Sequence, residues 1–202
     1  MEKNRLEAFS DGIFAIVITL LILEVKIPEV SDDALWPALQ ALAPRLASFL
    51  LSFVIIGSYW VAHHSLLVYV ERTDRNLLWL NILVLLTVVF LPFPAALLGQ
   101  HPGKLATIVI YSVSLSLVNT TDTLLWRYAT KHPKLLKRKL STRFIRNITL
   151  IHMSPVIVYA LAIAAFFISP VISYLLYAAV PLFFMVPNPV MKRILSGSGF
   201  ND

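Results

Sequence analysis

Cysteine is absent from the 202 residues of this chain, and charged residues are scarce, at 14% of the total. The missing cysteine excludes disulfide bonds, thiolate metal ligands and cysteine nucleophiles, and it leaves the redox compartment undetermined. An ordinary soluble domain carries about 25% charged residues. This chain is instead 58% hydrophobic, with a mean hydropathy of +0.77. The composition therefore predicts an integral membrane protein.

The motifs of several enzyme classes are also missing. The sequence has no His-Glu-x-x-His, no Gly-x-Ser-x-Gly and no phosphate-binding glycine loop, so no metalloprotease, serine hydrolase or nucleotide-dependent enzyme is indicated. The adjacent His63 and His64 would point about 100° apart on a helix and would make a poor metal pair. We therefore expect no enzymatic activity, no cofactor and no metal site.

Six apolar stretches match the length of membrane-spanning helices, which need about 20 residues each. They are Leu6 to Val25, Leu46 to Val70, Leu77 to Leu98, Leu105 to Trp126, Ile148 to Ile168 and Val171 to Val186. The last stretch is short and contains Pro181, which predicts a kink or a tilt. The sequence thus predicts an all-α membrane protein with six transmembrane helices in one domain, residues 1–186, and a short polar cytoplasmic tail, residues 187–202.

Lysine and arginine fall mainly on one side of these segments. Of the 17 basic residues, only Lys26, Arg45 and Lys104 fall on the other side. Because basic loops favour the cytoplasmic side, we expect both termini and the loop over residues 131–146 to be cytoplasmic. The same topology explains the net charge of +6, so no nucleic-acid partner is expected.

An acidic residue enters the first predicted helix, in the stretch Arg5-Leu-Glu-Ala-Phe9-Ser10-Asp11-Gly12. A charged side chain at the centre of a membrane helix costs about 2.5 to 3.5 kcal/mol on insertion scales, so Asp11 needs a partner or a function. Arg5 lies about 240° around the helix from Asp11 and cannot be that partner. We therefore expect the partner of Asp11 to lie on another helix.

Depth along the helices groups further polar residues with Asp11. At 1.5 Å per residue, a polar belt lies about 8 to 12 Å inside the cytoplasmic boundary of five helices. It comprises Asp11, His63, His64, Asn81, Asn119, Asp122 and His152. By depth, His63, His64 and Asn81 are the best candidate partners of Asp11, with Trp60 packing beside the histidines.

Two interpretations of the polar belt remain open. It is either interhelical hydrogen bonding that sets the positions of the helices, or a functional relay or ion site. In the second case Asp11, His63, His64 and Asp122 would serve a proton-coupled secondary transporter.

Mainly aliphatic residues follow Asp11 at helical spacing. Gly12, Ile16, Thr19, Leu20, Leu23 and Ile27 lie on or near one stripe of the first helix. In most membrane helices such residues face lipid or neighbouring helices. Around a symmetry axis they would instead form hydrophobic rings of the kind that gate a channel by dewetting. The residues alone leave both interpretations open.

Several motifs together resemble one known family. They are Arg5-x-x-x-Phe9-Ser10-Asp11-Gly12, Ile16-x-x-Thr19-Leu20, Tyr59-Trp60-x-x-His63-His64, Asn76-Leu-Leu-Trp79-Leu-Asn81 and Leu91-Pro92-Phe93-Pro94. In these motifs the chain resembles the transmembrane-protein-175 family of lysosomal and prokaryotic potassium channels. The Thr-Val-Gly-Tyr-Gly filter of ordinary potassium channels is absent from the sequence.

The resemblance implies a potassium-permeable cation channel whose first helix lines a central pore. With one six-helix repeat, the chain resembles the prokaryotic homotetrameric form in the plasma membrane, with potassium and other monovalent cations as permeant ions. By motif, Ile16, Leu20 and Leu23 would form the constriction, and Thr19 a hydroxyl layer linked to potassium preference. The signature network that holds the pore helix would comprise Arg5, Phe9, Ser10, Asp11, Trp60, His63, His64 and Asn81.

Overall fold

The computed structural model of this protein describes residues 2–185, and helices occupy most of this range. They are α1 (Lys3–Leu20), α2 (Asp32–Ala41), α3 (Ala43–Leu67), α4 (Arg75–Val89), α5 (Pro92–Gln100), α6 (Leu105–Lys131), α7 (Thr142–Ala165) and α8 (Pro170–Met185), with 3₁₀ turns at Leu21–Glu24 and Pro133–Leu135. Within residues 2–185 the only β-structure is an isolated bridge between Val70 and Leu136. The predicted all-α class is confirmed.

Five helical segments within residues 2–185 are long and apolar enough to cross a membrane. They are Lys3–Glu24, Ala43–Leu67, Arg75–Gln100, Leu105–Lys131 and Thr142–Ala165. The chain is therefore a multi-pass membrane protein. The sixth predicted span corresponds to α8, which has 16 residues and continues through Pro181. Val186 and the predicted tail, residues 187–202, lie outside the described residues.

Two features of the first half differ from the prediction. The connection between the first two predicted spans contains α2, with Ser31 at its N-cap and acidic residues in its first turn, a pattern typical of a helix start. No residue of α2 is buried. The third predicted span is divided into α4 and α5 by a turn at Phe90 and Leu91, next to Pro92, which lacks a backbone N–H.

The central helix of the bundle is α6, the most enclosed of the five spans, which packs against α3, α4, α5 and α7. Tyrosine hydroxyls join the helices around it. The hydroxyl pairs are Ser52 with Tyr111 at 2.9 Å, Ser112 with Tyr177 at 2.7 Å, and Tyr59 with Tyr159 at 3.0 Å. Such bonds contribute only about 0.6 kcal/mol each in membranes, so they chiefly fix how the helices are aligned.

A side-chain cap ties α4 to α6 at one end of the bundle. The carboxylate of Asp74 accepts hydrogen bonds from the backbone N–H of Leu77 at 2.8 Å and from the hydroxyl of Tyr128 at 2.8 Å. Partial burial raises the pKa of Asp74, but these hydrogen bonds outweigh it and leave the pKa below its usual value. The cap also satisfies one of the backbone donors left open at the helix start.

At the other end of the bundle, α3 and α5 approach closely at a glycine. A Cβ added at Gly99 would lie 2.9 Å from the Cα of Arg45 and 3.2 Å from the Cβ of Ser48. The hydroxyl of Ser48 also donates to the carbonyl of Ala95 at 2.6 Å. Only glycine leaves room for this contact, which holds α5 against the helix that packs on α1.

Candidate functional site: the first helix and its polar contacts

The first helix has one face inside the subunit and one face open. Leu6, Ser10, Phe14 and Val17 are buried, where α1 packs against α3 and α4. The buried positions recur every three or four residues, as expected for one face of a helix. The opposite face is therefore held in a fixed direction by the packing of α1 on two neighbours.

The open face carries the residues of the aliphatic stripe. The side chains of Ile16, Leu20 and Leu23 are 55%, 41% and 67% exposed. Leu23 lies just beyond α1, in the 3₁₀ turn. A Cβ added at Gly12, one turn before Ile16, would meet nothing within 4 Å. The stripe is thus available to a second copy, to a pore or to lipid.

Thr19 lies on the same exposed side of α1. Its hydroxyl donates to the carbonyl of Ile16 at 2.8 Å, a bond within its own helix turn. Because this bond uses the hydroxyl hydrogen, the oxygen keeps its lone pairs for a donor or a cation. Thr19 is therefore the one polar oxygen among the aliphatic side chains of the stripe.

Ser10 and Asn81 join the buried face of α1 to α4. The side-chain amide of Asn81 donates to the Ser10 hydroxyl at 3.1 Å, and that hydroxyl bonds the carbonyl of Leu6 at 3.0 Å. Both side chains are fully enclosed, with Asn81 0% and Ser10 1% exposed. An enclosed amide is costly without a partner, so this pair fixes the position of α1 on α4.

Asp11 bonds α3 through Trp60. The indole N–H of Trp60 donates to the Asp11 carboxylate at 2.8 Å, and the Trp60 ring lies 5.8 Å from the ring of His64. Depth had favoured His63, His64 or Asn81 as the partner of Asp11, and the structure instead gives Trp60. The reason is the direction in which each side chain leaves α3. Trp60 and His64 lie on the exposed side of that helix, while His63 points inward.

His63 belongs to a second group of bonds, behind α1. Its Nδ1 lies 2.7 Å from one carboxylate oxygen of Asp122, and Nδ1 of His152 lies 3.2 Å from the other. The carboxyl of Asp122 on α6 therefore joins α3 to α7. The ring of His63 also lies 5.8 Å from that of Phe14, on the buried face of α1.

A small cavity adjoins this cluster. It measures about 20 Å³ and is bordered by His63, Asp122, His152, Asn119 and Tyr59 among others, which is room for about one water molecule. The Nε2 of His63 is buried without a hydrogen-bond partner in the part of the chain that the structure describes. Within residues 2–185 no group of three His, Cys, Asp or Glu side chains could hold a metal ion. The cluster therefore offers polar groups to a water molecule in this cavity.

The structure thus divides the predicted network. On α1, Ser10 bonds Asn81 of α4 and Asp11 bonds Trp60 of α3. The ring of His64 lies beside that of Trp60, whereas His63 bonds Asp122 of α6. Arg5 and Phe9 lie on exposed positions of α1 and take no part in these bonds. His152 was placed in the belt by depth, but its pairing with Asp122 could not be read from the sequence.

Comparison with known proteins places these residues in a family. The family model described as endosomal/lysosomal potassium channel TMEM175 matches residues 5–92, which include most of α1 and all of α2, α3 and α4. A potassium channel of Streptomyces collinus is 33% identical over 199 residues, covering 95% of this chain and 97% of that one. The chain belongs to the TMEM175 family. The resemblance found in the motifs is confirmed.

Other TMEM175 proteins extend the comparison. A potassium channel of Chamaesiphon minutus is 37% identical over 174 residues, 83% of this chain and 86% of that one. The crystal structure of a lysosomal potassium-selective channel TMEM175 homolog from Chamaesiphon minutus superposes with a TM-score of 0.78 at 34% identity, over 90% of this chain and 95% of that one. The human endosomal/lysosomal proton channel TMEM175 is 31% identical over 190 residues, 89% of this chain and 37% of that one. This TMEM175 chain is therefore an ion-channel protein and not an enzyme.

Proposed function

We propose that this TMEM175 chain forms a potassium-permeable cation channel. Four copies would place α1 around a central axis, with Ile16, Leu20 and Leu23 as the hydrophobic constriction. The observation that carries the proposal is the exposed aliphatic stripe, on a helix whose opposite face is packed on α3 and α4. The names of the prokaryotic relatives, which are potassium channels, support the choice of ion.

The constriction would act as a barrier because its apolar side chains cannot hydrate a passing cation. Ile16 to Leu23 would span about 10 Å at 1.5 Å per residue. An apolar passage of that length would exclude a hydrated cation unless the rings move apart. Thr19 would interrupt this wall with an oxygen that is available to a partly dehydrated ion, since its hydrogen is bonded to Ile16.

In this proposal the polar contacts of α1 would hold the pore helix in place. The bonds from Asn81 to Ser10 and from Trp60 to Asp11 hold α1 to α4 and α3, which fixes the direction of the stripe. The remaining expectations are those of the prokaryotic form. They are six spans including α8, a homotetramer in the plasma membrane, both termini cytoplasmic, and no cofactor.

The alternative is a proton-coupled transporter that uses Asp11, His63, His64 and Asp122. Two observations favour the channel. Family membership is with ion channels, and the hydrogen bonds described for residues 2–185 leave Asp11 with Trp60 and Asp122 with the two histidines, in separate groups. A transporter would move potassium only with a proton gradient, whereas the proposed channel carries electrogenic flux down the potassium gradient alone.

The test is potassium flux in liposomes that contain the purified protein. Ile16→Asn is expected to change the size of the flux, and Thr19→Ala is expected to lower the preference for potassium over sodium, with Thr19→Ser restoring it. The matched control is Ile157→Asn, because Ile157 is 66% exposed on α7, which packs mainly on α6 and α8. Unchanged flux and selectivity in both α1 variants would remove this helix from the pore.

A further inference from the structure

A strongly basic surface covers the connection between α6 and α7. The basic ledge, as it is called below, consists of Lys131, Lys134, Lys137, Arg138, Lys139, Arg143 and Arg146, all exposed. The sequence contains no Asp or Glu between Asp122 and Asp202. The ledge therefore carries positive charge with no acidic residue of its own.

The chain that bears the ledge is fixed in place. The backbone N–H of Glu71 donates to the carbonyl of Leu135 at 2.8 Å, and that of Lys137 donates to the carbonyl of Tyr69 at 3.0 Å. Leu135 and Leu136 are buried beneath it, each 7% exposed. Orientation of a membrane protein needs only that basic residues be present in a loop, whereas here the backbone holds them in a defined array.

Aromatic side chains lie directly beneath the ledge. The rings of Tyr69 and Phe144 are 5.5 Å apart, and the ring of Tyr69 is 5.8 Å from that of Trp126. Trp126 and Phe144 are buried, at 1% and 2% exposed, so this cluster supports the ledge from within the protein. The ledge begins at Lys131, where one candidate span ends, and the next candidate span begins at Thr142. The ends of two spans therefore put the basic ledge at the level of the lipid headgroups.

The ledge also lies away from the proposed pore. α7 packs chiefly on α6 and α8, while α1 packs on α3 and α4. If α1 faces a central axis, the connection between α6 and α7 lies towards the periphery. Lys137 borders a shallow depression shared with Glu2 and Glu71, so its charge is partly offset. Lys134 and Lys139 are exposed and do not line that depression.

We propose that the basic ledge binds the headgroups of anionic phospholipids. The partner is the lipid surface that surrounds the helices. The positive side chains of the ledge would attract the negative phosphates of these lipids, since the ledge lies at the level of the headgroups. Each Lys or Arg close to an anionic membrane surface strengthens attachment by a factor of about five. The proposal concerns attachment of lipid, so it stands or falls independently of which ion the protein conducts.

The test compares lipids of equal chain length on the purified full-length protein. Native mass spectrometry in detergent should detect phosphatidylglycerol bound more tightly than phosphatidylcholine. Lys134→Gln with Lys139→Gln should weaken phosphatidylglycerol binding by about 25-fold, at about five-fold per charge. The matched control is Lys26→Gln with Lys104→Gln, which removes two exposed lysines from the other end of the helices and should leave the binding unchanged.

Three results would overturn the proposal. Equal binding of the two lipids would mean that headgroup charge is not recognised. Unchanged binding in the Lys134 and Lys139 variant would place the lipid elsewhere. Full displacement of phosphatidylglycerol by inorganic phosphate would identify a site for a free anion in place of a lipid. All these changes are on exposed side chains, and the elution volume of each variant should match that of the unmodified protein.

Discussion

Replacing Asp122 by alanine removes the carboxyl group that joins the imidazoles of His63 and His152. Both bonds, at 2.7 and 3.2 Å, are inside the bundle, and Asp122 is 5% exposed. The change would leave the buried imidazole of His63 and the partly exposed imidazole of His152 without their acceptor, and would remove the bonds that join α6 to α3 and α7. We expect the protein to fold less stably and its helices to separate more readily.

The size of the effect follows from the two lost acceptors. A buried polar group that loses its partner costs about 1 to 3 kcal/mol, which applies in full to His63; His152, whose side chain is 13% exposed, costs less. For a chain of this size a change of 1 kcal/mol shifts the melting temperature by about 2 to 4 °C. Asp122→Ala should therefore lower the apparent melting temperature by at least about 2 °C.

A second substitution separates hydrogen bonding from volume. Asp122→Asn keeps the shape, retains one acceptor oxygen and turns the other position into a donor, which one imidazole accepts in its alternative tautomer. The stability should fall in the order unmodified protein, Asp122→Asn, Asp122→Ala. The assay is thermal unfolding in detergent by intrinsic tryptophan fluorescence, with exposed Glu29→Ala as the control for lost negative charge. An Asp122→Ala protein with the same melting temperature as the unmodified protein would refute the reasoning.

Two further predictions concern the ends of the bundle. Gly99→Ala should destabilise the protein by about 1 to 3 kcal/mol, because the new Cβ would meet the backbone of Arg45. The control is Gly57→Ala, which should be neutral or slightly stabilising because a Cβ there would have nothing within 4 Å. Equal melting temperatures for the two variants would contradict this prediction. Asp74→Ala should cost about 1 kcal/mol at neutral pH, since it removes the cap on Leu77, and Asp74→Asn should cost less. Because the folded pKa of Asp74 is lowered, its contribution is complete above the usual aspartate value and is lost as the pH falls through the lowered pKa. A difference in melting temperature that persists at a pH below that value would argue against the cap.

The order of the helices could be predicted because it depends on long apolar runs, and the family could be recognised from short motifs. The helix α2 was missed although Ser31 and the acids of its first turn are start signals. Its residues are all unburied, and Pro37 within it argues against a helix. The division of the third span falls beside Pro92, but α7 and α8 continue through Pro155 and Pro181, so the presence of a proline did not by itself predict it.

The partners in the polar belt could not be assigned in the same way. Rise per residue gave the depth of each group correctly enough to place His63, Asp122 and His152 together in one belt. Depth does not say which way a helix is rotated. His63 and His64 are neighbours in sequence, yet one bonds Asp122 and the other stacks on Trp60.

The sequence by itself determined the membrane class, the approximate spans and the family, because apolar length, charge distribution and motifs are properties of contiguous residues. Only the tertiary structure decided that Asp11 bonds Trp60, that Asp122 joins two histidines, and that the stripe of α1 faces outward. These choices depend on the rotation of each helix about its axis. That rotation is set by the packing of whole helices, including the tyrosine hydroxyls around α6, and is not encoded in any single segment.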